Sequence, residues 1–183
     1  MKFDPLNNHR ILLIDDDESI HKLFRWILED SSIPVVLSGH EAFLFGHGAG
    51  HSKMPTFQVD SACRGEEGLA LIELSLLNAR PYAAAFVDVR LGPGWDGVQT
   101  TCKIWEKYPD LQVVLCTGFP DRPWEDMVRP LGYLDRVVVL IKPFEKIEVL
   151  QLAVAMTEKW RFNQQAKLRV DNLEKLVKSA RSR

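Results

Sequence analysis

Cysteine is scarce in this chain. Its 183 residues hold three, Cys63, Cys102 and Cys116. An odd, widely spaced set makes no disulfide framework, and no pair has the C-x-x-C spacing of a metal clip. The three read as buried structural thiols, suited to a reducing cytoplasm. Excess charge of one sign is missing too: 23 Lys and Arg against 25 Asp and Glu give a formal net charge of −2. The chain therefore has no electrostatic reason to take nucleic acid or an anionic membrane as partner. No apolar run approaches the roughly 18 residues that cross a bilayer, and Met1–Arg10 has no apolar signal core. No helix-turn-helix recognition pattern is visible. What is present is an ordinary globular balance, 46% apolar and 26% charged, with length for one full-cored domain and an appendage.

Short apolar runs alternate with amphipathic stretches. Ile11–Ile14 is a continuous apolar run that stops at acids, the pattern of a buried strand. Ile20, Leu23, Phe24, Ile27 and Leu28 then repeat at helical spacing and make one apolar face. Thr56–Val59 reads as the second strand, and Gly65–Ala79 as a helix with Leu69, Ile72 and Leu76 on one side. Ala83–Val87 is the third strand, again ending at an acid. Asp96 and Gln99 have capping-box spacing, with a carboxylate in place of the usual hydroxyl, and open a helix running to about Lys107. Leu111–Cys116 and Val137–Ile141 are the fourth and fifth strands, with a less regular helix over 124–134 between them. From Phe144 onward the chain is helical almost to its end. Five buried strands alternating with helices predict an α/β fold, a parallel sheet covered on both faces. In such sheets ligands bind beyond the C-terminal strand ends, where the winding reverses.

The residues at those ends form a set. The first strand ends in Asp15-Asp16-Asp17, the third at Asp88, the fourth at Thr117 and the fifth at Lys142. Singly, each has a plain explanation: the aspartates suit a helix cap, Asp88 a turn, Lys142 a solvated surface. Together, and in order on one rim, they make a cluster of carboxylates with one hydroxyl and one ammonium. Two carboxylates about 4 Å apart repel by about 1 kcal/mol in water and about 4 kcal/mol at an effective dielectric of 20, so a cation is needed. Hard oxygen ligands with room for water suit Mg²⁺. One carboxylate is then left as a nucleophile toward a phosphoryl group, with lysine and threonine to stabilise its oxygens.

Four stretches carry a family resemblance: Ile11-Leu-Leu-Ile-Asp-Asp-Asp17, Phe86-Val-Asp-Val-Arg-Leu91 with Asp96-Gly97, Leu115-Cys-Thr-Gly118, and Ile141-Lys-Pro-Phe144. Over about residues 9–158, apart from an insertion, the chain resembles the receiver domain of two-component response regulators. The resemblance implies a doubly wound, flavodoxin-like sheet of order 2-1-3-4-5. It implies Asp88 as phosphoacceptor, Asp15 and Asp16 as the acidic Mg²⁺ pair, the backbone carbonyl of Arg90 as a further metal ligand, and Thr117 and Lys142 on the phosphoryl group. It also implies a cis Lys142–Pro143 peptide, a sensible state for an X-Pro bond. The donor would be a phosphohistidine on a sensor histidine kinase or phosphotransfer protein. The module would not be an enzyme beyond assisting its own phosphorylation and dephosphorylation. Three features depart from the family pattern. The loop Leu91–Gly97 is one residue longer than usual, Val139 replaces the common aromatic switch residue, and Arg90 stands two residues past the acceptor.

The domain is thus expected over residues 1–158, with an insertion at 31–55 and a helical linker or coiled-coil segment at 159–183. The insertion carries His40, His47 and His51; without paired spacing they point to an elaborated loop rather than to zinc. In the tail Ala166, Val170, Leu173, Val177 and Ala180 follow 4-3-4-3 spacing, a short heptad seam. A homodimer through this helix, or a lead into a missing C-terminal output domain, is expected. Other classes fit less well. A haloacid-dehalogenase-type phosphatase needs a second aspartate where Arg90 stands, and a flavin binder needs a hydroxyl- and glycine-rich loop where Asp15–Glu18 would repel phosphate. A pseudo-receiver, acting as a dimerisation or interaction module without phosphorylation, is the alternative.

Overall fold

A computed structural model of the chain describes residues 4, 7–29, 55–118, 129–132 and 134–181. Five parallel strands, β1 (Arg10–Ile14), β2 (Gln58–Ala62), β3 (Ala84–Asp88), β4 (Gln112–Thr117) and β5 (Val137–Ile141), form one sheet of order β2-β1-β3-β4-β5. The helices are α1 (Glu18–Glu29), α2 (Gly65–Leu77), α3 (Gly97–Lys107) and α4 (Lys146–Arg181). This is the doubly wound, flavodoxin-like order the resemblance implied. The insertion at 31–55, with its three histidines, lies outside the described residues except for Pro55, as does most of the helix expected over 124–134. The described part of that helix is two short 3₁₀ turns, Arg129–Leu131 and Leu134–Arg136.

The central strands are apolar on both sides because both sides are covered. In β1 the two-residue period sends Ile11 and Leu13 into one core with Phe24, Ile27 and Leu28 of α1 and Val149, Ala153 and Met156 of α4. Leu12 and Ile14 enter the other core, with Ile72 of α2 and Ile104 and Trp105 of α3. These four apolar β1 side chains are essentially inaccessible to water, and each such burial contributes roughly 1.5–3 kcal/mol. Phe24 packs edge-on against Phe86 at 5.0 Å and Phe144 at 5.6 Å, a favoured aromatic geometry.

Strand β2 begins and ends later than Thr56–Val59. It is an edge strand, and its register is set by β1, from Arg10 opposite Gln58 to Ile14 opposite Ala62. One open edge lets it carry polar residues that hide it in the sequence. Asp60, for example, accepts from Arg10 Nη2 and from the Tyr82 hydroxyl, both at 2.7 Å.

Helix α4 is 36 residues long, or about 54 Å at about 1.5 Å per residue. Its first part packs on the sheet through Val149, Leu150, Ala153, Met156 and Trp160. Trp160 Nε1 donates to the buried Tyr108 hydroxyl at 2.6 Å. One turn on, Gln164 Nε2 donates to Asp110 at 3.0 Å and Lys167 Nζ to the same carboxylate at 2.5 and 2.6 Å. Beyond Lys167, residues 168–179 are exposed. No helix among the described residues is long and apolar enough to cross a membrane.

Candidate functional site

Strand β1 has β2 on one side and β3 on the other, so the winding reverses between β1 and β3, where parallel sheets of this kind open a crevice. Asp15 follows β1 directly and Asp88 is the last residue of β3. One carboxylate oxygen from each of Asp15, Asp16 and Asp88 lies within 4.8 Å of the others. Lys142, just past β5, reaches across: its Nζ stands 2.7 Å from Asp15 Oδ2 and 3.4 Å from Asp88 Oδ1. Thr117 closes β4 beside them and is buried. Its hydroxyl donates to the Gly118 carbonyl at 3.0 Å. The Lys142 backbone N–H donates to the Thr117 carbonyl at 2.6 Å, and the Lys142–Pro143 peptide is cis.

The three consecutive aspartates divide their work. Asp15 is 1% exposed and its Oδ1 accepts from the Asp17 N–H at 3.0 Å. Asp16 is exposed at the rim. Asp17 turns away and caps α1, its Oδ1 accepting from the Ser19 N–H at 2.8 Å. The cap explanation open to this triplet is thus realised by Asp17 alone, while Asp15 and Asp16 stay in the carboxylate cluster. Hydrogen bonds from Ser19, its hydroxyl first and its backbone N–H second, hold the Asp17 carboxyl below its ordinary range.

The loop after β3 is held short by hydrogen bonds and one close approach. Val89 N–H donates to the Cys116 carbonyl at 2.8 Å and Gly97 N–H to the Val89 carbonyl at 3.0 Å. A Cβ on Gly97 would fall 2.1 Å from the Asp88 carbonyl oxygen, so only glycine lets α3 start here. Asp96 then caps α3 by accepting from the Gln99 N–H at 2.7 Å, as its spacing predicted. The Arg90 backbone N–H donates to the Asp88 carboxylate.

Electrostatics follow from this geometry. Burial pushes the Asp88 carboxyl above its ordinary range; Lys142 pulls it back and Asp15 adds to the rise. Burial alone would lower Lys142, but its hydrogen bond to Asp15 and the charges of Asp88 and Asp15 outweigh that and raise it. The Lys142 ammonium thus pairs with two of the three clustered acids, Asp15 and Asp88.

The donor set fits a small divalent cation. Octahedral Mg²⁺ holds oxygens about 2.1 Å away, hence about 3 to 4 Å from one another, close to the spacing of these three. Asp15, Asp16 and Asp88 would be its carboxylate ligands.

One neighbour of the site was not read from the sequence. His21 Nε2 donates to the Asp15 backbone carbonyl at 2.7 Å. The signal was its place one turn into α1, facing back over the strand end. Val139, in the aromatic-switch position, is half-buried in β5 opposite Leu115.

No protein-family description and no curated protein matches the sequence. Solved structures do match. A receiver domain protein (CheY-like) from Methanospirillum hungatei is 22% identical with a TM-score of 0.60, over 85% of this chain and 98% of that one. The signal receiver domain of an HD domain-containing protein from Pseudomonas fluorescens is 19% identical with a TM-score of 0.60, over 90% and 96%. An adenylate cyclase chain from Rhodopirellula baltica is 20% identical with a TM-score of 0.62, over 90% and 98%. The chain has the fold of response regulator receiver domains.

Proposed function

We propose that this is a phospho-accepting receiver domain of a two-component response regulator, with Asp88 as the acceptor. The observation that carries this reading is the rim itself: Asp88 lies with Asp15 and Asp16 inside 4.8 Å, and Lys142 bridges Asp15 and Asp88. In the transfer, an Asp88 carboxylate oxygen attacks phosphorus in line with the departing group of a phosphohistidine donor. A P–O bond forms as the P–N bond breaks, and the electron pair stays on the donor imidazole. When bound, Mg²⁺ supplies positive charge against the phosphoryl oxygens. Asp15 and Asp16 hold the metal, and the Arg90 carbonyl is assigned as a further ligand. Lys142 turns its ammonium from Asp88 to the incoming oxygens, and Thr117 rotates its hydroxyl from the Gly118 carbonyl toward them.

The donor is a sensor histidine kinase or phosphotransfer protein. Phosphorylation shifts an equilibrium between two arrangements of the domain. With Val139 in place of an aromatic residue, that shift does not run through ring rotation. Residues 1–158 form the receiver and 159–183 a stalk, whose exposed apolar stripe pairs with a second copy or leads into an output domain. The test is intact-mass spectrometry after incubation with Mg²⁺ and acetyl phosphate. Wild type gains one phosphoryl mass, and EDTA or Asp88→Asn abolishes the gain. An equal gain in the Asp88→Asn variant would refute the assignment.

A further inference from the structure

The distal half of α4 leaves the domain with Val170, Leu173 and Val177 each at least half exposed. We propose that it pairs in parallel and in register with α4 of a second copy, as a two-stranded coiled coil beginning at Asn163. This rests on the homodimer reading above and adds its geometry.

Heptad positions set how the helices pair. The 4-3-4-3 spacing puts Ala166, Leu173 and residue 180 at d, and Asn163, Val170 and Val177 at a. β-Branched residues at a with leucine at d favour two parallel strands, and a single asparagine at a fixes register and partner number. Asn163 is exposed, free to face its copy. Charge points the same way. In a parallel pair each g residue faces the e residue five positions on in the partner helix, which sets Arg169 against Glu174 of the second copy, twice by symmetry. An antiparallel pair that overlaps the whole seam, residue 163 opposite residue 180, also sets Lys167 beside Glu174, but it layers each Asn163 on residue 180 instead of on its own copy, so the asparagine favours the parallel pair. A seam through exposed Leu168 fares worse, since it would run over Gln165, Asn172 and Lys175.

The seam spans about 27 Å, from residue 163 to 180 at about 1.5 Å per residue, and an isolated helix of that length is marginal in water. The domain makes up the deficit. Trp160 on Tyr108, and Gln164 and Lys167 on Asp110, hold the first turns helical and fix the stalk's direction. Less ordering is then left for pairing to overcome.

The test uses the full chain in a Cys63→Ser/Cys102→Ser background, with sedimentation velocity over a concentration series and mild copper-phenanthroline oxidation. The expected result is a reversible monomer–dimer equilibrium, with disulfide-linked dimers from Ala166→Cys and from Leu173→Cys separately, but not from Lys175→Cys on the outer face. Val170→Asp should weaken the dimer at least tenfold with far-UV circular dichroism unchanged. A dimer in which either d-position variant fails to link would overturn the parallel arrangement and leave the homodimer standing. A monomer at every concentration would overturn both, and neither result bears on phosphoryl acceptance, which the mass measurement reads separately.

Discussion

Replacing Asp88 by asparagine removes a charge while keeping the shape of the side chain. In wild type that charge faces two carboxylates and one ammonium. Each carboxylate within 4.8 Å repels it by at least about 0.9 kcal/mol in water and about 3.5 kcal/mol at an effective dielectric of 20. Lys142 at 3.4 Å returns about 1.2 to 5 kcal/mol on the same two scales. The repulsions win by about 0.5 to 2 kcal/mol, and burial of the charge adds to the cost. For a chain this size, where 1 kcal/mol moves Tm by about 2–4 °C, Asp88→Asn should melt about 2–6 °C above wild type in EDTA. The sign with pH follows. The Asp88 carboxyl titrates above its ordinary value of 3.8, so the folded state holds this proton more tightly than the unfolded state. Its contribution to stability is fully present below the unfolded value and is lost as pH rises through the folded one. The gap between variant and wild type should therefore be full at neutral pH and close as pH falls through the raised Asp88 value toward 3.8. Mg²⁺ should reverse the order by stabilising wild type through mass action, by about 2.7 kcal/mol at a hundred times its Kd, and the variant less. Thermal denaturation followed by circular dichroism reads all of this. An Asp88→Asn variant less stable than wild type in EDTA at neutral pH would refute the repelling cluster.

Other consequences follow from the same contacts. Lys142→Met leaves buried Asp15 without its cation and should lower stability in EDTA by about 3 kcal/mol; added Mg²⁺ should recover much of that in a melting experiment. Gly97→Ala puts a methyl 2.1 Å from the Asp88 carbonyl oxygen and forces the loop after β3 to move. It should reduce both melting temperature and phosphoryl uptake, whereas Gly132→Ala, with open space around it, should pay only its backbone cost at positive φ, about 1 kcal/mol. Trp160→Phe removes the hydrogen bond to the Tyr108 hydroxyl and part of a buried ring. A loss of about 1–3 kcal/mol is expected, with faster amide exchange along residues 160–170. Burial alone would raise the Asp110 carboxyl, but Lys167 and Gln164 outweigh it and hold it below its ordinary range. The stability it contributes is present above the unfolded value near 3.8 and is lost as pH falls through the folded one. Lys167→Ala should shift the Asp110 carboxyl upward in carbon-detected NMR while costing at most about 1 kcal/mol, because the pair is partly exposed.

Much of the site was legible because a parallel sheet converts chain order into geometry. Once Ile11–Ile14, Ala83–Val87, Leu111–Cys116 and Val137–Ile141 are read as strands running one way, Asp15, Asp88, Thr117 and Lys142 must share a rim, and they do. The cap at Asp96 was legible for a local reason, since its partner Gln99 is only three residues away. What escaped depends on contacts that spacing does not encode. Asp15, Asp16 and Asp17 look alike in sequence, and only the turn of the backbone after β1 sends one into the pocket and one to the helix cap. Strand β2 was placed too early because its polar residues are satisfied by Arg10 and Tyr82, distant in sequence. The tie from Trp160 to Tyr108 crosses 52 positions. From the sequence, Trp160 marked only the start of the tail. It is buried against the domain, and contacts with the body persist to Lys167.

The central claim is that Asp88 itself takes the phosphoryl group. Borohydride trapping tests it most directly. An acyl phosphate is reduced by hydride to an alcohol with loss of phosphate, and peptide mass mapping then locates the reduced residue. After incubation with Mg²⁺ and acetyl phosphate, reduction should fall at position 88 alone and vanish in EDTA. Reduction at Asp15 or Asp16, or a phosphorylated protein with position 88 intact, would contradict the account.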